Sequence, residues 1–302
     1  MSLLNKRVLL VTGKGGAGKS TLAASLALAA AERGKRVLLV ETHGSNRLPV
    51  VFGKRSMNYQ VQHLTSSLYH LSVTSQKALE EYIVGVIKLR ALYKLVFRNR
   101  VMGPFMDAVP GLHELIQLGK VMNLERTKER GKPEWDLMVV DAPATGHGLS
   151  MLNAPASMME LTRTGPFYEN AKLVQSIWGD PKRTGLLLVT LPEDMPVNET
   201  LDLYTRLGDY QKQLVLCVLN EVHVAPATSS QWAHASPHLS APGLLQAKTL
   251  ADRHMGRIDR QEQARERLSA LPCPLVELPF LGHRDLNLAD ITQLANQLQE
   301  AL

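Results

Sequence analysis

The chain has 302 residues, 45% hydrophobic and 21% charged, a globular composition that excludes wholesale disorder. Its only cysteines, Cys217 and Cys273, form no CxxC pair, which excludes a disulfide scaffold, a cysteine zinc site and a thiolate iron–sulfur cluster. The net charge is +6, and the ten basic and four acidic residues between Gly85 and Lys132 carry a surplus as large as the whole chain's. Such a surplus reads first as a solvated helical face and otherwise as a surface for an acidic partner, an anionic lipid or nucleic acid.

Arg7–Thr12 is a short apolar run ending at Gly13, the pattern of a strand buried on both faces. It runs straight into a glycine loop with no cleavage-type site, so it does not read as a leader. No apolar run approaches the roughly 20 residues that span a bilayer, so no stable membrane insertion and a cytoplasmic location are expected. Lys19–Arg33 is rich in alanine and leucine and reads as a helix stopped by Gly34. Val37–Val40 is the next strand, and strand–helix–strand at this spacing predicts a parallel sheet with a right-handed crossover. Further strands are expected at Leu68–Val73, Leu137–Val140, Leu186–Val189, Leu214–Leu219 and Leu275–Leu278. Helices fit at about Asn198–Gln211, Arg257–Leu271 and Leu288–Leu302. Two segments interrupt this rhythm: residues 74–131 read as a helical insert broken at Gly103-Pro104 and Pro110-Gly111, and residues 224–243, rich in Ala, Pro, Ser and His, read as a mobile loop.

The segment Gly13-Lys14-Gly15-Gly16-Ala17-Gly18-Lys19-Ser20 fits the phosphate-loop pattern G-x-x-x-x-G-K-[ST], and it lies between a predicted strand and a predicted helix. Glycines let backbone N–H groups converge on phosphate oxygens at the positive end of the helix. The binding set then runs through Gly13, Gly15, Gly16, Ala17, Gly18, Lys19, Ser20 and Thr21. Lys19 is expected on the β- and γ-phosphates and Ser20 on Mg²⁺, with ATP as the nucleotide. Asp141, at the end of the strand Leu137–Val140, is placed near the same Mg²⁺.

Lys14, directly after the first glycine, resembles the signature lysine of the deviant Walker A ATPases. In that class the lysine acts like an arginine finger on the nucleotide of a dimer partner. Asp141-Ala142-Pro143-Ala144-Thr145-Gly146-His147 resembles the switch II of one branch, the ArsA-like family of arsenite-pump and tail-anchored-protein-targeting ATPases. Pro110-Gly111-Leu112-His113-Glu114, the segment Leu191–Thr200, Val218-Leu219-Asn220 and Leu278-Pro279-Phe280 resemble further marks of that family in the right order. The resemblance implies one P-loop NTPase domain over residues 1–302, a mainly parallel twisted sheet with helices on both faces and a helical insert. It also implies an ATP-hydrolysing dimer opened and closed by nucleotide, with Asn220, Pro279 and Phe280 around the adenine.

One departure concerns chemistry. The family's switch I carries an Asp that positions the attacking water, and in Val40-Glu41-Thr42-His43-Gly44-Ser45-Asn46-Arg47-Leu48 that position is His43. General acid–base groups contribute about 10²–10⁴-fold, so slow hydrolysis is expected unless Glu41 substitutes. The catalytic set is therefore Lys14, Lys19, His43 and Asp141. The partner is a second copy or a paralogue carrying the missing Asp, and the client is open. A non-catalytic nucleotide-gated subunit and a partition-like DNA-associated ATPase are the alternatives; nucleic acid is not the expected partner.

Overall fold

The computed structural model describes residues 3–44, 47–87, 109, 111–143, 145–239, 241–283, 286–300 and 302. In chain order the elements are β1 (Val8–Gly13), α1 (Lys19–Glu32), β2 (Val37–Glu41), α2 (Leu48–Val51), β3 (Gln62–Thr65), β4 (Leu68–Ser72), α3 (Ser75–Ile87) and α4 (Leu112–Arg126). A two-stranded hairpin, β5 (Lys128–Glu129) and β6 (Lys132–Pro133), leads into β7 (Leu137–Asp141), α5 (Thr145–Thr162), α6 (Pro166–Trp178), β8 (Thr184–Thr190) and α7 (Asp194–Arg206). The chain continues through β9 (Leu214–Val222), α8 (Ser229–Ala235), α9 (Leu245–Leu268), β10 (Leu275–Pro279) and α10 (Leu288–Leu298).

Eight strands form one sheet in the order β10-β9-β8-β1-β7-β2-β4-β3. All neighbours pair parallel except β3, which closes the edge antiparallel to β4. The apolar runs become strands because both faces are covered. Successive side chains alternate, so Val8 and Leu10 of β1 enter one core with Leu38, Val40, Met138, Val140, Leu186 and Leu188. Leu9 and Val11 enter the other with Leu39, Val139, Leu187 and Val189. The alanine-rich α1 closes that second face, packed against α10, and small side chains let it approach the sheet. The first face is covered by α4, α5, α6, α7 and α9.

The doubly covered, mainly parallel sheet matches the expected α/β class. Of the insert, α3 and α4 are helical, and its middle, with Gly103-Pro104, lies outside the described residues. Within 224–243 the described residues form α8, opened by a capping box of Thr228 and Gln231, followed by a 3₁₀ turn at Ser236–His238. Among the described residues no helix is long and apolar enough to cross a membrane.

Core packing sets the first prediction. Leu39 is fully buried, so Leu39→Ala should cost about 2–5 kcal/mol, whereas Val50→Ala, at 63% exposed, should stay within about 0.5 kcal/mol. Urea denaturation measures both, and equal midpoints would contradict the assigned core.

Candidate functional site

The loop between β1 and α1 turns in a space that only glycine can fill. Gly13 has φ +154°, and a Cβ there would lie 2.2 Å from the Val189 carbonyl oxygen of β8. Gly18 has φ +90°, and its Cβ would lie 2.2 Å from Asn220 Nδ2 at the end of β9. That same Nδ2 donates to the Ala17 carbonyl at 3.0 Å, tying the loop to a third strand. Gly15 and Gly16 are exposed at the crest, while Ser20 and Thr21 are half-buried in the first turn of α1. That turn holds no acidic residue and no side-chain cap, so its N–H groups stay open to an anion. Lys19 Nζ donates to the Lys14 carbonyl at 3.0 Å. Burial lowers its pKa, and nearby Asp141 partly offsets this. Lys14 Nζ pairs with Glu199 Oε1 of α7 at 3.0 Å.

Beside the loop lies a cluster of carboxylates and imidazoles. Register pairs Glu41, the last residue of β2, with Asp141, the last of β7, and both are fully buried. Neither Asp141 oxygen has a hydrogen-bond partner. Burial pushes Asp141 up to about 6; Ser20 and His43 hold it down, Glu41 adds to the rise, and Lys19 opposes it. His43 Nε2 stands 3.6 Å from Glu41 Oε1 and 3.6 Å from Asp141 Oδ2, with its side chain 28% exposed. The other Glu41 oxygen meets Nε2 of buried His70 on β4 at 3.2 Å. The turn carrying His43 is held from two sides: the Thr42 hydroxyl donates to the Asp141 carbonyl at 2.8 Å, and Gln117 Nε2 of α4 donates to the Thr42 carbonyl at 2.7 Å.

The structure thus brings Lys19, Ser20, His43 and Asp141 together at the C-terminal ends of the adjacent central strands β1, β7 and β2. The chemistry of this donor set fits Mg²⁺: a buried carboxylate with two unpartnered oxygens next to a serine hydroxyl and a phosphate loop. Ala144 lies outside the described residues, and Thr145–His147 open α5. Pro279 ends β10, and the half-exposed ring of Phe280 lies 4.7 Å from that of His223. Glu199, His70 and Gln117 escaped the sequence reading, because each acts through a partner distant in sequence.

Because the folded state raises the pKa of Asp141, its ionisation costs stability as pH rises through about 6. In the absence of nucleotide and metal, Asp141→Asn should stabilise the chain by about 1–3 kcal/mol at pH 7.5. That advantage should shrink below pH about 6, where the wild-type carboxyl keeps its proton. Chemical denaturation across pH measures this, and a variant no more stable than wild type at pH 7.5 would contradict it.

Comparison with known proteins agrees with this geometry. A family model described as anion-transporting ATPase matches residues 6–166. The chain is 28% identical over 320 residues to ATPase BagA of Mycobacterium tuberculosis, covering 97% of this chain and 93% of that protein. It is 23% identical to ATPase GET3 of Kluyveromyces lactis over 252 residues, 72% of each chain. It is 26% identical to a putative arsenical pump-driving ATPase of Halobacterium salinarum over 222 residues, 69% of this chain and 34% of that one. With a phosphate loop, a strand-end carboxylate and a family match over more than half its length, the chain belongs to the anion-transporting ATPase family and is an ATP-hydrolysing enzyme.

Proposed function

We propose that this chain hydrolyses ATP at the loop Gly13–Ser20, with the reaction completed by Lys14 of a second copy. One observation carries the reading: the buried, unpartnered Asp141 carboxylate stands beside Lys19 and Ser20 at a glycine loop whose helix start is uncapped. The backbone N–H groups of Gly15, Gly16 and Gly18 cradle the phosphates, while Ala17 N–H closes the loop on the Lys14 carbonyl at 3.2 Å; Thr21 extends the cradle into α1, and Lys19 binds the β- and γ-phosphates. Ser20 and Asp141 hold Mg²⁺, which when bound neutralises charge developing on the phosphate oxygens.

Water is oriented by His43, the solvent-facing member of the cluster, while Glu41 is sealed in the sheet between that imidazole and the His70 ring. An imidazole places a water less well than a carboxylate, so hydrolysis by two identical copies is slow. Lys14, paired with Glu199 of its own chain, leaves that partner to reach the phosphates across the seam. The partner is a second copy, or a paralogue supplying a switch I Asp, and the complex works in the cytoplasm.

Lys19→Ala should weaken ATP binding more than about tenfold by calorimetry, since a point charge aimed at the phosphates is lost. Unchanged affinity would overturn the site. Lys14→Ala should bind ATP nearly as wild type does yet lose hydrolysis, because a finger charge is worth about 10³–10⁵ in kcat.

Restoring the carboxylate by His43→Asp should raise kcat about tenfold or more, with ATP affinity unchanged. Brisk wild-type turnover that this substitution does not increase would show that His43 already serves as well as an aspartate.

A further inference from the structure

The end of the sheet opposite the phosphate loop is the positive end of the chain. The parallel strands β1, β2, β7 and β8 all begin there, with Val8 level with Met138 and Thr184, and Val37 level with Leu137. The turns that feed these strands therefore sit side by side. They comprise residues 3–7, 33–36, 125–136 and 180–183, and hold eleven basic residues against five acidic ones. That surplus equals the +6 of the whole chain.

The acids of these turns are mostly engaged within them. Glu125, buried near the end of α4, takes Arg183 at 2.6 Å and Arg7 at 3.3 Å. Glu129 takes Arg36 at 2.7 Å, and Asp136 accepts from the Arg36 N–H at 2.8 Å. Asp180 accepts from the Lys182 N–H at 2.8 Å. Among the described residues this leaves Arg126, Lys128, Arg130, Lys132 and Lys182 exposed and without an acidic partner. Four of the five lie on or beside the hairpin β5–β6. Its register pairs Glu129 with Lys132 across a two-residue turn, Arg130 at φ +52° and Gly131 at φ +82°. Asn, Asp or Gly usually takes the first place of such a turn, because both central residues are left-handed. Arg130 takes it here, which sets a guanidinium at the hairpin tip. Arg36, 4.8 Å over the ring of buried Trp135, ties the hairpin to the sheet end through Glu129.

We propose that this end docks on an anionic phospholipid surface, held by charge, with the hairpin as its leading contact. Cations carried on neighbouring turns suit a broad polyanionic surface. A peptide would want a groove, and a single-stranded nucleic acid would want aromatic faces to stack on. None of the exposed large apolar side chains of the described residues lies on these turns, so they offer no wedge into the hydrocarbon. Adsorption is then electrostatic and reversible. Each Lys or Arg near an anionic surface contributes about fivefold in affinity, and salt screens it over about 8–10 Å. The ends of the same strands that carry Lys19, His43 and Asp141 lie at the far side of the sheet. A docked chain therefore keeps that end open to nucleotide and to a second copy.

The test is co-sedimentation of the full chain with vesicles of phosphatidylcholine alone and of phosphatidylcholine mixed with phosphatidylserine. Wild type should bind the mixed vesicles and not the neutral ones, and added salt should release it. Lys128→Gln with Arg130→Gln removes two charges and should weaken binding about tenfold or more. Lys128→Glu with Arg130→Glu should weaken it further. Lys54→Glu with Lys77→Glu changes the net charge as much as that second pair, but at exposed positions beyond the other ends of β2 and β4. It should alter binding by less than about threefold, because those charges lie beyond the screening length. Urea midpoints check that each variant folds, and the Gln pair decides if the Glu pair does not. Equal binding to both kinds of vesicle, binding to neither, or an equal loss from the two Glu pairs overturns the proposal. So does hairpin-dependent binding to duplex DNA or polyglutamate that is tighter than binding to the mixed vesicles.

Discussion

The site depends on a steric constraint: three strands must end against one loop with no room for side chains between them. Gly13 lies against the Val189 carbonyl of β8, and Gly18 lies against the Asn220 amide of β9. A methyl group at either position would stand 2.2 Å from its neighbour, far inside contact distance. The close approach sets the loop against the uncapped start of α1, where the peptide dipoles sum to a partial positive charge. The fully buried β1 fixes the origin of the loop, and Asn220 fixes its far side.

Electrostatics then sets the tension that a ligand relieves. Parallel register forces Glu41 and Asp141 to end adjacent strands side by side, both out of water. His43 stands equally far, 3.6 Å, from Glu41 and Asp141, but Glu41 also meets His70 at 3.2 Å, whereas Asp141, with neither oxygen in a hydrogen bond, holds its proton up to about 6. Proteins are stable by only about 5–15 kcal/mol, so an unpartnered buried carboxylate is a cost that the two cores have to carry. The divalent cation proposed for Asp141 would offset that cost and so couple loading of the site to stability. Lys14 is held by Glu199 of α7.

Much of the fold was legible because a parallel sheet buried on both faces needs continuous apolar runs, and the expected strands all formed within about three residues of their predicted ends. The helices α5 and α6 were missed: Pro155 interrupts the pattern of α5, and α6 opens on Pro166. The edge strand β3, Gln-His-Leu-Thr, carries too little apolar signal to stand out. Gly13–Ser20 and Asp141 were legible because their chemistry demands fixed residue types at fixed spacing. The pairs Lys14–Glu199, Glu41–His70 and Gln117–Thr42 were not, since each joins residues 29 to 185 positions apart and only the folded register brings them together.

The account's central claim is that one working site takes residues from two copies. It is tested most directly by mixing two chains that are each inactive for a different reason. Lys14→Ala keeps its own loop intact but lacks the crossing lysine, while Asp141→Asn has a spoiled metal site but an intact lysine. Steady-state ATP hydrolysis measured on the mixture should recover, because the mixed pair contains one site with every group present. A mixture no more active than the two chains measured apart would contradict a shared site.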